Sequence, residues 1–205
     1  MKAVIYHAFG RPETERINQD TYKRLFEGFK ANVHPFDIEV IHLTLEGFEG
    51  FGDTNIFYPG LKSKDVVLNR EICFSDFLEC AEDDIYWFTE PDARIVKLFP
   101  SPDAEIDCVM LYRNDSVPMT PSFRIARKSA LPLFLEFLEE MYLQRSDWDG
   151  DSDAFTRVHR NMGSPEIGKT DYKGMKIEFR NWKNYSMRGS VYVSHYKGES
   201  KSSLL

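Results

Sequence analysis

The chain has 205 residues, 42% of them hydrophobic and 29% charged, which is typical of a globular domain. Its formal net charge of −7 argues against a general affinity for nucleic acid or anionic membranes. No apolar run approaches the roughly 20 residues of a membrane-spanning helix. The three cysteines, Cys73, Cys80 and Cys108, have no metal-ligand spacing. We therefore expect a single cytoplasmic domain over residues 1–205 with no membrane association.

Strands and helices alternate along the first half of the chain, an order that favours an α/β sheet. Hydrophobic periodicity predicts strands over 3–8, 38–43, 85–88 and 106–112, and helices over 21–31 and 65–81. Segment 46–59 is rich in glycine and aromatic residues and is predicted to be a long loop. A lid, an acceptor platform and an interface are all compatible with this loop.

The second half is predicted to contain a longer helix and two late strands. Residues 117–121 and 123–126 indicate a proline-rich turn followed by a short extended piece. The apolar stripe over 129–145 predicts a helix, with Pro132 in its first turn, where a missing N–H is tolerated. A short helix is expected from Ala154, and strands over 175–179 and 190–194.

Arg70 falls on the same face of the helix over 65–81 as Cys73 and Phe77. A guanidinium on an apolar face needs an anionic partner. One interpretation is an arginine at the rim of the core with its charge in water. The other is that Arg70 reaches the acidic residues after the next strand, or the phosphates of a ligand.

Two carboxylates, Glu90 and Asp92, follow the apolar run 85–88. In an extended segment residues two apart leave the same face, and Pro91 stiffens the turn off the strand. Mg²⁺ and Mn²⁺ favour oxygen ligands and are often held by one or two carboxylates plus substrate phosphates. The pair therefore indicates a site for a divalent cation on a diphosphate. A solvated acidic turn is the alternative.

The last predicted strand is followed by His195, Lys197, Gly198 and Lys201. Imidazole is a possible Mn²⁺ ligand. The two lysines could neutralise a departing diphosphate, and Gly198 allows close approach of the backbone to a ligand. The alternative is an ordinary strand-end histidine before a solvated tail.

Three carboxylates, Asp149, Asp151 and Asp153, lie beside Trp148. One interpretation is the N-terminus of a helix, where the helix dipole favours negative charge. The other places one aspartate on the sugar hydroxyls of a donor, or makes it the general base for an acceptor. Both can hold at once.

A family resemblance is carried by four segments in order: 85–92 (IYWFTEPD), 121–129 (PSFRIARKS), 148–155 (WDGDSDAF) and 195–201 (HYKGESK). The chain resembles a small, divergent GT-A glycosyltransferase of the glycogenin-like and galactosyltransferase-like group. The resemblance implies an α/β, GT-A-like (Rossmann-like) fold, in which helices flank a mixed, mostly parallel sheet.

The same resemblance implies roles for individual residues. Glu90 and Asp92 stand where the family has its Asp-x-Asp metal motif. His195 stands where the family has its third metal ligand, and Lys201 where it has a pyrophosphate-binding lysine. Bound Mn²⁺ or Mg²⁺ is therefore the expected cofactor.

The turn after the first strand, with His7 and Phe9, would hold the nucleotide base and ribose. Two departures from the family pattern are visible. Glu90 replaces the first aspartate of the metal motif, and Ser202 and Ser203 follow where the family has Pro-Trp.

These residues predict a metal-dependent glycosyltransferase that moves a sugar from a nucleotide sugar to a soluble acceptor hydroxyl. One alternative is a noncatalytic binding module on the same scaffold. Another is a nucleotidyltransferase that makes sugar nucleotides, although Gly10-Arg11-Pro12 offers little of the glycine-rich loop that such an enzyme needs after strand one.

DNA is a possible acceptor by analogy with phage glycosyltransferases that modify hydroxymethylated bases. The most basic part of the chain is 169–188, and a solvated hairpin is the other interpretation of this segment. Its basic residues are Lys169, Lys173, Lys176, Arg180, Lys183 and Arg188.

Overall fold

The computed structural model describes residues 1–8, 19–62, 65–82, 84–144, 150–185 and 190–195. Within these ranges the strands are β1 (Lys2–Tyr6), β2 (Glu39–Leu45), β3 (Thr54–Tyr58), β4 (Tyr86–Thr89), β5 (Ala93–Ile95), β6 (Cys108–Tyr112), β7 (Met119–Ala126), β8 (Gly168–Tyr172), β9 (Met175–Asn181) and β10 (Val193–His195). The α-helices are α1 (Gln19–Val33), α2 (Val66–Cys80), α3 (Leu131–Gln144) and α4 (Gly150–Asn161). Short 3₁₀ helices occupy His34–Phe36, Lys128–Ala130 and Trp182–Asn184. Among the helices in these ranges, none is both long enough and apolar enough to cross a membrane.

Eight strands form one mixed sheet in the order β3-β2-β1-β4-β7-β6-β9-β8. The first four strands in this order run parallel to one another. β7 is antiparallel to both β4 and β6, so β6 and its parallel neighbour β9 return to the direction of β4. β8 closes the far edge as an antiparallel hairpin with β9. β5 and β10 form a separate two-stranded antiparallel sheet. The predicted α/β, GT-A-like architecture is confirmed.

Both faces of the large sheet are buried. Because successive residues of a strand point to opposite faces, strands such as β1 and β4 contribute side chains to both hydrophobic clusters. Val4 of β1 belongs to the same buried cluster as Phe74 of α2, Phe134 of α3 and Phe155 of α4. Ile5 packs on the other face, in the cluster that contains Phe26 and Phe29 of α1. The three C-terminal helices therefore cover one face and α1 the other.

Most predicted helices and strands are confirmed to within a few residues, but segment 46–59 is not wholly a loop. β3 lies inside it and pairs in parallel with β2, with Thr54 opposite Ile41. β3 is an edge strand whose side chains are exposed or half-buried. An edge strand does not need the apolar pattern of a buried strand, and hydrophobic periodicity therefore did not predict β3.

The proline-rich turn predicted before residue 123 is also wrong, because β7 runs through Pro121 as one strand. The pairing of β7 with β6 is interrupted here. Met110 of β6 lies opposite Arg124, but the next residue, Leu111, lies opposite Thr120. The extra residues on β7 form a local irregularity, where a residue without an N–H is tolerated. The short strand β5 was not predicted, and β8 was anticipated only through the hairpin interpretation of segment 169–188.

Candidate active site

The acidic turn, residues 90–92, begins directly after β4 at the edge where the parallel strands β1, β2 and β4 end. The amide of Ala93 donates to the carbonyl of Glu90 at 3.1 Å, which closes a turn with Pro91 at its second position. The turn predicted at Pro91 is therefore confirmed, since proline favours this turn position. The extended geometry expected for residues 90–92 is wrong. Asp92 is 1% exposed, and the side chain of Glu90 is 30% exposed.

Arg94 attaches the acidic turn to α1. Its Nη1 donates to the carbonyl of Pro91 at 2.9 Å, and its Nη2 donates to the carbonyl of Leu25 at 3.4 Å. Gly28 leaves space for this guanidinium, since an added Cβ would lie 2.8 Å from Nη2. The backbone that carries Asp92 is thus connected to α1, the helix that covers the sheet face of Ile5.

The strand that carries His195 lies beside the acidic turn. β10 pairs with β5 in an antiparallel ladder that places His195 opposite Ala93, the residue after Asp92. Paired residues in such a ladder have Cα atoms about 5 Å apart. The side chain of His195 lies outside the described part of the chain, as do Lys197, Gly198 and Lys201. Their proposed contacts with metal and diphosphate remain predictions.

Arg70 of α2 reaches the acidic turn. Its Nη1 lies 4.0 Å from Oε1 of Glu90, and its side chain is 13% exposed. The Nε of Arg70 donates to Oε1 of the adjacent Glu71 at 2.9 Å. Of the two interpretations of this arginine, the structure agrees with the one in which it meets the acidic residues after β4.

Glu71 is completely buried and forms a two-pronged ion pair with Arg124 of β7, which is equally buried. Nη1 of Arg124 donates to Oε2 at 2.7 Å, and Nη2 donates to Oε1 at 2.9 Å. The guanidinium carbon lies 5.1 Å, 4.7 Å and 5.3 Å from the ring centroids of Phe74, Phe134 and Phe155. A buried charge pair therefore lies among three helices directly behind Arg70.

Burial raises the pKa of Glu71, but Arg124 and Arg70 outweigh this effect and hold the pKa below its usual value. Glu71 is thus a carboxylate with two guanidinium partners. Sequence reasoning missed both Glu71 and Arg124. The available signals were an arginine inside the apolar segment 123–126 and a glutamate adjacent to Arg70 on a mostly apolar helix.

The end of β1 is held in place by a buried histidine of β2. Nε2 of His42 lies 2.9 Å from the carbonyl oxygen of His7, and the amide of Phe51 donates to Nδ1 at 3.0 Å. Because Nδ1 accepts, the proton of the neutral ring belongs on Nε2. Burial lowers the pKa of His42 to about 4, so the ring is neutral at neutral pH. The ring of His7 itself stacks on Tyr22, with centroids 3.6 Å apart.

Among the predicted nucleoside-binding residues, His7 lies just after the carboxyl end of β1, whereas Phe9 is outside the described residues. The segment after β2 is tightly packed against the strand. Gly52 approaches it so closely that an added Cβ would lie 2.7 Å from the amide of His42 and 2.8 Å from the carbonyl of Val40.

The predicted aspartate cluster precedes and enters α4, which begins at Gly150, earlier than the expected Ala154. Asp153 is exposed near the N-terminus of this helix, where a carboxylate is favourable. Asp149 lies outside the described residues, as does the side chain of Asp151. No contact of these aspartates with the acidic turn is established.

The donor chemistry of the acidic turn fits a divalent cation, since carboxylates and an imidazole are ligands that Mn²⁺ accepts. Among the described side chains, no group of three histidine, cysteine, aspartate or glutamate residues could hold a metal ion. The expected third ligand, His195, is not among those side chains. A complete metal site thus remains a prediction.

The basic segment 169–188 contains the predicted hairpin, formed by β8 and β9. Four of its basic residues are ion-paired within the fold: Lys169 with Asp103 and Glu105, Lys173 with Glu136, Lys176 with Glu105, and Arg180 with Glu178. These pairs reduce the positive charge that the segment offers to a phosphate backbone. Arg188 lies outside the described residues.

A comparison with models of known protein families finds no match, and a comparison with curated protein sequences finds none either. Solved structures do match. A glycosyltransferase involved in the glycosylation of the major capsid of PBCV-1 aligns with a TM-score of 0.61 and 9% identity, over 99% of this chain and 98% of that chain. An active-site mutant of LgtC aligns with a TM-score of 0.57 and 11% identity, over 97% of this chain and 88% of that chain.

The glycosyltransferase GlyE of Streptococcus pneumoniae TIGR4 aligns with a TM-score of 0.58 and 9% identity, over 98% of this chain but only 55% of that chain. At these identities the likeness concerns the fold. The chain therefore has the GT-A-like fold of these glycosyltransferases, with an acidic turn at the carboxyl edge of its sheet.

Proposed function

We propose that this chain is a glycosyltransferase that takes its sugar from a nucleotide sugar. The observation that carries the proposal is the meeting of three elements at one edge of a GT-A-like sheet. These are the acidic turn after β4, the guanidinium of Arg70, and β10 with His195. In open α/β sheets, ligands bind at the carboxyl ends of the strands, where these elements lie.

The donor diphosphate would bind at the acidic turn. Glu90, Asp92 and His195 would hold Mn²⁺ or Mg²⁺, which when bound supplies positive charge to the leaving diphosphate. Arg70 would add a fixed positive charge beside the same acidic turn. The pairing of Arg70 with Glu90 keeps that guanidinium at the turn before a ligand arrives.

Two further groups would complete donor binding. Lys197 and Lys201 would neutralise the diphosphate from the segment after β10, with Gly198 allowing close approach of the backbone. His7 and Phe9 would border the nucleoside at the end of β1. The stacking of His7 on Tyr22 supports a flat, pre-formed surface there.

One of Asp149, Asp151 and Asp153 would contact the donor sugar or act as general base for the acceptor. Phe155 of α4, the helix that carries Asp153, packs on Arg124. Arg124 pairs in turn with Glu71, the residue next to Arg70. This packing connects the start of α4 to the acidic turn and supports the assignment.

The acceptor that we favour is a sugar hydroxyl. LgtC, a galactosyltransferase, has been solved with donor and acceptor sugar analogues, and it aligns with this chain at a TM-score of 0.53. A hydroxymethylated DNA base is the less favoured acceptor, because the basic residues of β8 and β9 are paired with carboxylates. DNA binding with a steep salt dependence would reverse this preference.

The proposal is tested by thermal unfolding with a panel of nucleoside diphosphates and nucleotide sugars, each with and without Mn²⁺. Ligands that bind the native state raise the melting temperature, by several degrees at about 100 times Kd. We expect one nucleotide to stabilise the chain only together with Mn²⁺, and Asp92→Asn to abolish that stabilisation. Slow hydrolysis of the matching nucleotide sugar without acceptor would show catalysis.

The matched control is Asp37→Asn, an exposed aspartate just before β2 at the opposite edge of the sheet. It changes the charge by the same amount, and its left-handed backbone, φ 57°, suits asparagine. It should keep the full stabilisation. Nucleotide binding without metal dependence and without hydrolysis would contradict the transferase and indicate a noncatalytic binding module.

A further inference from the structure

The buried pair of Glu71 and Arg124 lies directly behind Arg70, between α2 and β7. One oxygen of Glu71, Oε1, accepts from both arginines, at 2.9 Å from Nε of Arg70 and 2.9 Å from Nη2 of Arg124. Its other oxygen, Oε2, accepts from Nη1 of Arg124 at 2.7 Å. Oε1 of this carboxylate thus joins Arg124, which is completely buried, to Arg70, which borders the acidic turn.

Stability alone gives little reason to keep such a pair. Removing two charges from water is unfavourable, and replacing a buried ion pair with apolar residues of similar volume is often neutral or stabilising. The surroundings here are already suited to an apolar side chain, since the rings of Phe74, Phe134 and Phe155 surround Arg124. The orientation of Arg70 offers a functional reason.

We propose that Glu71 and Arg124 are positioning residues that hold Arg70 in place for the donor diphosphate. The bond from Nε of Arg70 to Glu71 uses one side of the guanidinium and directs Nη1 toward Glu90, 4.0 Å away. Arg124 in turn prevents rotation of the Glu71 carboxylate by binding both of its oxygens. This inference rests on the proposed function, because it names what prepares the same site.

The geometry permits a test that separates position from charge. Glu71 and Arg124 carry opposite charges, so the double variant Glu71→Leu/Arg124→Met leaves the net charge of the protein unchanged. Arg70 and Glu90 remain in the chain. A change in ligand affinity in this variant therefore reports the orientation of Arg70.

We expect the double variant to unfold at the same temperature as the wild-type protein or higher, and to bind the nucleoside diphosphate with Mn²⁺ about tenfold more weakly, measured by calorimetry. Arg70→Met should weaken binding similarly in the wild-type protein, and should weaken it no further when added to the double variant. Wild-type affinity in the folded double variant, or additive losses in the triple variant, would overturn the inference.

A second measurement does not depend on nucleotide binding. In the wild-type protein the Nε–H of Arg70 should give a distinct, slowly exchanging ¹⁵N NMR signal, because it donates to a buried carboxylate. The double variant should lose this signal. If it persists, the positioning inference fails even when nucleotide binds. If the wild-type protein binds no nucleoside diphosphate, the proposed function fails, while the signal still reports whether Glu71 orders Arg70.

Discussion

The guanidinium of Arg94 lies against Gly28 of α1, where a Cβ would come within 2.8 Å of its Nη2. From this position Arg94 donates to the carbonyl of Pro91 in the acidic turn. A glycine inside a helix normally weakens it by about 1 kcal/mol relative to alanine. Here its small size permits a contact between α1 and the turn that carries Asp92.

This contact gives the first prediction. Gly28→Ala should bring no gain in the free energy of unfolding, since the helix gain is offset by displacement of Arg94. In an Arg94→Ala background the same substitution should stabilise the protein by about 1 kcal/mol, the ordinary helix gain. Urea unfolding of the four proteins measures both effects. Equal gains in the two backgrounds would show that the contact is unimportant.

The second prediction concerns His42 and pH. Burial lowers the pKa of this histidine from 6.5 to about 4, so the unfolded chain binds its proton more readily than the folded chain. Stability contributed by neutral His42 is therefore complete above pH 6.5 and is lost as the pH falls toward 4, by about 3 kcal/mol in total. Protonation would place a hydrogen on Nδ1, which accepts from the amide of Phe51.

His42→Gln removes the titrating group and should flatten the pH dependence of the free energy of unfolding between pH 6.5 and 4. Urea titrations at several pH values would measure the slope for both proteins. An unchanged slope in His42→Gln would assign the acid sensitivity to other groups.

The third prediction concerns the cost of breaking the buried ion pair by one partner only. Glu71→Leu alone leaves Arg124 buried without its carboxylate, which should lower the free energy of unfolding by about 3–5 kcal/mol. Arg124→Met alone should cost a similar amount. The double variant should recover this loss, and urea unfolding of all three proteins checks it. Additive losses would mean that the two side chains are not energetically coupled.

The fourth prediction concerns Gly52. An added Cβ would lie 2.6 Å from the carbonyl oxygen of Thr54 and 2.7 Å from the amide of His42, which are backbone atoms that cannot rotate away. Gly52→Ala should therefore cost about 1–3 kcal/mol or more. The control is Gly60→Ala, where φ is 76° and an added Cβ would meet no heavy atom within 4 Å outside the adjacent residues, so that only backbone strain of about 1 kcal/mol is expected. Equal costs would show that the loop before β3 can move.

Hydrophobic periodicity was enough to predict the helices α1, α2 and α3 and the buried strands β1, β2 and β4. Their patterns come from side-chain periodicity, which depends on residues near one another in the chain. The position of Glu90 and Asp92 directly after a buried strand could be predicted for the same reason. The hydrogen bond that closes the turn at Pro91, and the burial of Asp92, could not.

Which distant residues meet depends on the folded arrangement of the strands and helices. Arg124 and Glu71 are 53 positions apart, and they pair because the sheet places β7 beside β4 and thereby brings Arg124 to Glu71 of α2, an order that no local pattern encodes. His195 lies opposite Ala93 for the same kind of reason, since β10 pairs with β5 across about half of the chain. Charges become partners when the folded strand order removes water from between them, and that order is a property of the whole molecule.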